Sequence, residues 1–299
     1  MKSSAKSRRD TFNGILFASP WILGFLTFVA YPLGASFYYS FCSYDAITPP
    51  HFIGLENYRV MITQDTLFWK SLGNTLYMAL FGLPVGLAAA LGIALLLNQR
   101  IRGIAIYRTI YFLPSITPVV ASSVLWMWLL NPQVGLINTS LERMGVAHPP
   151  DWLSDPSWAK PALILMGLWA VGGGMVIYLA SLQDVPASLL EAAALDGAGA
   201  WGKFRHVTIP SISPVILFNL IMGLIGTFQY FTQAYVMTNG GPQDATMFYA
   251  LHLFNRAFQD FEMGYASAMA WVLFVITLVC ALIVFKTSAK WVYYAGESS

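Results

Sequence analysis

Apolar residues run along this chain in six long blocks, roughly 12–41, 72–97, 108–130, 161–182, 212–237 and 264–285. All six lack Asp, Glu, Lys and Arg, apart from Arg108 at the edge of the third. A helix crossing a hydrocarbon core needs about 20 consecutive apolar residues, because backbone amides there find no water. Each block is long enough, and none has the ten-residue alternation of a membrane strand. The pattern predicts an all-α integral membrane fold with six transmembrane helices. The first block exceeds the apolar core of a secretory signal and has no clear small-x-small cleavage site, so it is expected to stay as a helix.

Composition agrees with this reading. The 299 residues are 57% hydrophobic and only 10% charged, with a mean hydropathy of +0.60, whereas a soluble domain is about a quarter charged. The net charge of +2 becomes informative once it is sorted by side. With residues 1–11, 98–108, 183–211 and the tail after 285 placed inside, eleven Lys and Arg fall inside. Five fall outside: Arg59, Lys70, Arg143, Lys160 and Arg256. That asymmetry predicts both termini on the cytoplasmic side of the membrane. The expected division is a cytoplasmic N-terminus (1–11), a transmembrane domain (12–285) and a cytoplasmic tail (286–299). The outer segments 42–71, 131–160 and 238–263 carry Trp and Tyr near the span ends, as interfacial belts do.

Candidate chemistry is sparse. Cys42 and Cys280 lie near span ends too far apart to pair, and read as small apolar residues. His51, His148, His206 and His252 lack ligand spacing, so no metal site and no catalytic residue is expected. No GxxxxGK[ST] run is present, so the chain is expected to bind no ATP itself. The spans hold no ionisable group of the kind that proton- and ion-coupled carriers keep in the bilayer. A secondary carrier or channel working alone is the alternative reading, and a membrane enzyme would need acids or a nucleophile that the spans do not offer. No nucleic-acid partner is expected.

One inner segment stands out, residues 183–211. Pro186 stiffens its entry, and Ser188-x-x-Glu191 has the spacing of a capping box. Leu189 to Asp196 reads as a short helix, stopped by Gly197 and Gly199 through left-handed geometry. A second short helix, Ala200 to about Val207, would end at Pro210. The expected product is a two-helix cytoplasmic loop between the fourth and fifth spans, with an Ala/Leu face exposed for docking.

Glu191-Ala192-Ala193, then Gly197, then Val207-x-Ile209-Pro210 resembles the EAA-x3-G-x9-I-x-L-P loop of binding-protein-dependent ABC permeases. Segments 52–61, 74–80 and 240–271 resemble carbohydrate-uptake members, of the maltose and glycerol-phosphate type and its first permease. The resemblance implies a pore subunit of an ATP-driven importer for a sugar-like solute. It implies a second homologous permease, two cytoplasmic ATPase subunits holding ATP and Mg, and an extracytoplasmic solute-binding protein. Ser188, Glu191, Ala192, Ala193, Asp196, Gly197, Ile209 and Pro210 would then couple the spans to the ATPase. On the residues alone Glu191 also reads as a helix cap, and the two roles are compatible.

The fifth block has a face unlike lipid-facing surface. Gly223, Gly226, Thr227, Tyr230 and Ala234 recur at helical spacing, with Gln233 at the border. A solute path and a small-residue packing seam both fit. In the fourth block Trp169 and Gly173 are one turn apart, and Gly172-Gly173-Gly174 weakens the helix, which suits a cavity, a hinge or tight packing. In maltose-type relatives the equivalent stretches line the translocation site. The resemblance therefore implies a path through Trp169, Gly173, Gly223, Gly226, Thr227, Tyr230 and Gln233. Gly82-x3-Gly86 reads as packing, and Pro114 with Pro118 as a kink in the third block.

Overall fold

A computed structural model describes residues 3–99 and 101–293, with the backbone alone for 3–9. Lys2, Arg100 and residues 294–299 of the expected inner segments lie outside the described residues. In chain order the elements are α1 (Asp10–Tyr39), β1 (Cys42–Ser43), β2 (His51–Phe52), α2 (Glu56–Thr63) and α3 (Thr66–Leu97). Then come α4 (Ile104–Ile116), α5 (Val119–Leu129), α6 (Leu136–Arg143), α7 (Pro156–Trp169) and α8 (Gly172–Gln183). The last five are α9 (Ala187–Leu195), α10 (Ala200–Phe228), α11 (Thr232–Met237), α12 (Tyr249–Phe258) and α13 (Met263–Ser288). Among the described residues four helices, α1, α3, α10 and α13, are long and apolar enough to cross a bilayer. The pairs α4–α5 and α7–α8 reach that length only together, bent by 100° and 49°, which makes up to six spans.

Proline acts here differently from what its position in the sequence predicts. Pro32, Pro84 and Pro210 each follow a π-helical turn, Leu26–Ala30, Met78–Gly82 and Phe204–Thr208. In each, the residue before the proline donates its N–H five residues back: Tyr31 to Leu26, Leu83 to Met78 and Ile209 to Phe204. Proline has no N–H and its ring crowds the carbonyl four residues earlier, and one widened turn relieves that crowding without ending the helix. The second short helix of the inner segment is therefore corrected: Pro210 does not stop it, and Ala200 begins a helix of 29 residues.

The chain forms two compact units. In the unit made of Met1–Asp65 and Leu253–Val272, β1 pairs antiparallel with β2, Cys42 opposite Phe52 and Ser43 opposite His51. Buried Asn57 donates to the carbonyls of Ser40 and Cys42, both at 2.9 Å. Asp65, also buried, accepts from the Tyr265 hydroxyl at 2.6 Å and faces Arg256 at 3.5 Å. In the unit made of Thr66–His252 and Leu273–Ser299, α8 packs on α3, with Ala90, Ala94, Met175, Tyr178 and Leu182 forming one core. A second core joins Met78, Trp126, Leu163, Met166, Met247 and Phe248. Outward-facing Phe17 and Phe28 on α1 are about four-fifths exposed, which only a hydrocarbon surround would solvate well.

Candidate functional site

Two features carry the candidate chemistry, an exposed short helix and a cavity among the long helices. The exposed helix is α9. Its N-cap is Pro186, with no side-chain capping bond, so the Ser188–Glu191 capping box is not formed. The helix starts at Ala187, one residue too early for Ser188 to cap it. Its other end is closed tightly. Gly197 takes φ +82°, its N–H donates to Ala194 O at 3.1 Å, and Ala198 N–H donates to Ala193 O at 2.9 Å. This is a Schellman ending, which satisfies carbonyls that would otherwise face nothing.

Gly199, also expected to be left-handed, is instead extended at φ −70°, ψ 178° and forms the N-cap of α10. No residue of α9 is buried, and Leu189, Leu195 and Trp201 stand exposed. Glu191, Ala192 and Asp196 are exposed and Ala193 is half-buried. Ile209 and Pro210, both half-buried, lie in the first turn after the π-turn of α10.

The cavity, about 280 Å³, is lined by Gly82, Gly86, Leu83 and Leu87 of α3 and by Leu163, Ile164, Gly167 and Leu168 of α7. Met78 of α3, Gly223, Gly226 and Thr227 of α10 and the following Tyr230 complete the wall. Five glycines from three helices make the space. A Cβ on Gly223 would run into Leu83 Cδ1, and one on Gly82 would come within 3.3 Å of Ile164 Cγ1. Gly86 and Gly226 face nothing within 4 Å. The packing reading of Gly82-x3-Gly86 thus holds for Gly82, while Gly86 opens onto the cavity. Thr227 is less free than its type suggests, because its hydroxyl donates to Gly223 O at 2.8 Å. Tyr230 supplies the aromatic wall, edge-on to Phe248 at 5.2 Å between ring centres.

Two predicted faces are broken. The α10 helix ends at Phe228 and α11 begins at Thr232, so Tyr230 and Gln233 do not continue its stripe. Tyr230 reaches the cavity from the break, and half-buried Gln233 is not in its wall. Trp169 ends α7 and Gly173 lies beyond the 49° bend, so they share no helical face. Trp169 packs edge-on against Trp126 at 6.3 Å. Of the glycine triplet, Gly172 is the tight contact, since a Cβ there would meet the Tyr111 carbonyl, while Gly173 faces open space. Gly167, Gly82 and Gly86 were missed as cavity residues. Their only sequence signal is small size inside an apolar run.

Residues 82–297 match the model of the family described as binding-protein-dependent transport system inner membrane component. The chain belongs to this family. It is therefore a membrane-embedded permease component of a binding-protein-dependent transporter. It is 46% identical to a probable ABC transporter permease, YesP, of Bacillus subtilis, over 99% of this chain and 97% of that one. It is 34% identical to the lactose transport system permease LacF of Rhizobium radiobacter, over 97% and 98%. Its fold is similar to a chain in the crystal structure of a bacterial ABC transporter that imports the acidic polysaccharide alginate. The TM-score is 0.81 at 23% identity, covering 96% of this chain and 99% of that one.

Proposed function

We propose that this permease is one of two homologous pore subunits of an ATP-driven importer for a sugar-like solute. In this reading the bent pairs α4–α5 and α7–α8 each make one span. Six helices then form a transmembrane domain over 12–285, with the termini 1–11 and 286–299 in the cytoplasm. A solute-binding protein delivers cargo from outside, and two ATPase subunits carry ATP and Mg below. This chain contributes no nucleotide site, metal or catalytic group.

The observation that carries the coupling role is α9, a nine-residue helix with no buried residue. So short a helix is marginal alone, and this one is held at one end by Pro186 and at the other by the Gly197 ending. A rigid element that contacts little of its own chain is suited to seat in another. Ser188, Glu191, Ala192, Ala193 and Asp196 face that partner. Ile209 and Pro210 relay its motion into α10, which reaches the cavity one helix length away. The sugar class rests on the lactose permease relative and on a cavity with a Tyr wall at the lower end of ordinary ligand pockets.

The test is purification of the tagged chain from its native membrane, with uptake measured in the same cells. A second permease and an ATPase should co-purify, and uptake of a sugar should stop when ATP is depleted while the ion gradients are held. In the same assay Tyr230→Ala should lower uptake about tenfold or more with the complex intact. Thr227→Val should change it less than about threefold, because the hydroxyl is already bonded to Gly223. Uptake that needs no ATPase would overturn the reading in favour of a secondary carrier.

A further inference from the structure

We infer that Lys160 is a charge filter at the outer end of the cavity, which makes the solute an anionic sugar, one bearing a carboxylate or a comparable acidic substituent. The inference rests on the reading of the cavity as the solute path. Lys160 lies in the first turns of α7, on the same face as Leu163, Ile164 and Gly167, which line the cavity one and two turns further along. A lysine near a span end ordinarily extends its ammonium towards water. This one turns inward instead. It is half-buried, donates to Asn74 Oδ1 at 3.0 Å and sits over the Tyr77 ring, 4.8 Å from the centroid. Tyr77 directly precedes Met78, another wall residue of the cavity.

The partners of Lys160 hold it without neutralising it. Asn74 is buried, and its amide N–H groups are committed to the carbonyls of Asp244 at 2.8 Å and Met247 at 3.0 Å. Its oxygen is thereby fixed towards Lys160. The neighbouring Lys70 is compensated, with its ammonium on Asp244 at 3.6 Å. Among the described residues no carboxylate lies within ion-pair distance of Lys160. A half-buried ammonium with one neutral acceptor and one ring face keeps donor capacity and has no counter-charge, and burying such a group unpaired is costly. An anion arriving from outside supplies the missing charge, and a charge-assisted hydrogen bond then discriminates it from a neutral analogue.

The test uses the complete importer in cells and three solutes: a digalacturonate, its neutral counterpart digalactose, and a galactose phosphate. The wild type should take up one or both anions in preference to digalactose, and the two anionic arms separate carboxylate from phosphate recognition. Lys160→Gln keeps a donor for Asn74 and loses the charge. It should lower anion uptake by about tenfold or more and leave digalactose uptake within about twofold. Lys160→Arg should restore the preference. An equal fall for charged and neutral solutes, or no change in either, would show that Lys160 only braces Asn74 and would overturn the filter. If the wild type moves no solute and shows no ATP-driven uptake, the transport reading fails first and the filter with it.

Discussion

Gly197 is the residue on which the coupling reading turns, and its backbone makes the prediction quantitative. At φ +82° a residue with a Cβ is strained, by about 1–2 kcal/mol for alanine and more for a β-branched side chain. Space is not the issue, since a Cβ at 197 would meet nothing within 4 Å. The strain can be relieved only by unwinding the end of α9, which breaks the Ala198–Ala193 bond. With no buried residue in α9, little packing resists that unwinding, so 1–2 kcal/mol shifts the ordered population roughly 5- to 30-fold.

Gly197→Val should therefore insert and fold normally but lose most ATPase co-purification and ATP-dependent uptake. Gly197→Ala should lose less, and Gly197→Asn least, because Asn tolerates left-handed backbone. Gly199→Ala is the internal control: its φ of −70° suits any residue, so uptake should be unchanged. The assay is uptake in cells paired with ATPase retention on the tagged permease. Normal retention and uptake in Gly197→Val, or equal damage from Gly199→Ala, would refute the argument.

Other outcomes follow from the same geometry. Gly172→Ala pushes a Cβ onto the Tyr111 carbonyl and to 2.9 Å from Phe112 Cα. It should cost about 1–3 kcal/mol in detergent thermal melts, whereas Gly173→Ala, facing open space, should be neutral or stabilising by up to about 1 kcal/mol. Asp65→Asn weakens a buried acceptor of Tyr265 and removes the charge facing Arg256. It should lower stability by about 2 kcal/mol, read from the same melts. In a version lacking Cys42 and Cys280, a cysteine at Gln133 should react with an impermeant thiol reagent from outside and one at Arg205 should not, and the reverse pattern would invert the orientation.

The helical spans were legible because a hydrocarbon core excludes charge, and charge-free runs are visible in one dimension. Gly197 was legible for a similar reason, since a glycine closing an Ala/Leu run has one common use. The prolines were not, because a proline announces a missing hydrogen bond but not how the chain will absorb it. At 32, 84 and 210 it is absorbed by a wider turn. The stripe on α10 was read correctly from Gly223 to Thr227 and wrongly beyond, since no Gly or Pro marks the break at 229–231. There the helix tightens, with Gln229 N–H on Gly226 O and Tyr230 N–H on Thr227 O. The cavity was half legible, because its opposite wall belongs to α3 and α7 and such long-range pairing leaves no local trace.

The sharpest bend, 100° between α4 and α5, could be anticipated in kind from Pro114 and Pro118 but not in size. A break at membrane depth exposes backbone carbonyls that hydrocarbon cannot satisfy, so it is tolerated only where other groups take over. The residues around it do so. Ser115 donates to Phe112 O at 2.7 Å, Ser123 to Val119 O at 2.7 Å, and Ser122 reaches Val119 O at 3.0 Å and Pro118 O at 3.3 Å. Thr117 N–H turns back to Pro114 O at 3.2 Å. Hydroxyls thus flank both prolines within one turn of the bend. At Pro84 the helix widens by one turn and continues. Around Pro114 and Pro118 the local hydroxyls bond carbonyls at a bend, whereas the Ser and Thr around Pro210 and Pro214 accompany a helix that continues, so hydroxyls permit the turn without by themselves causing it.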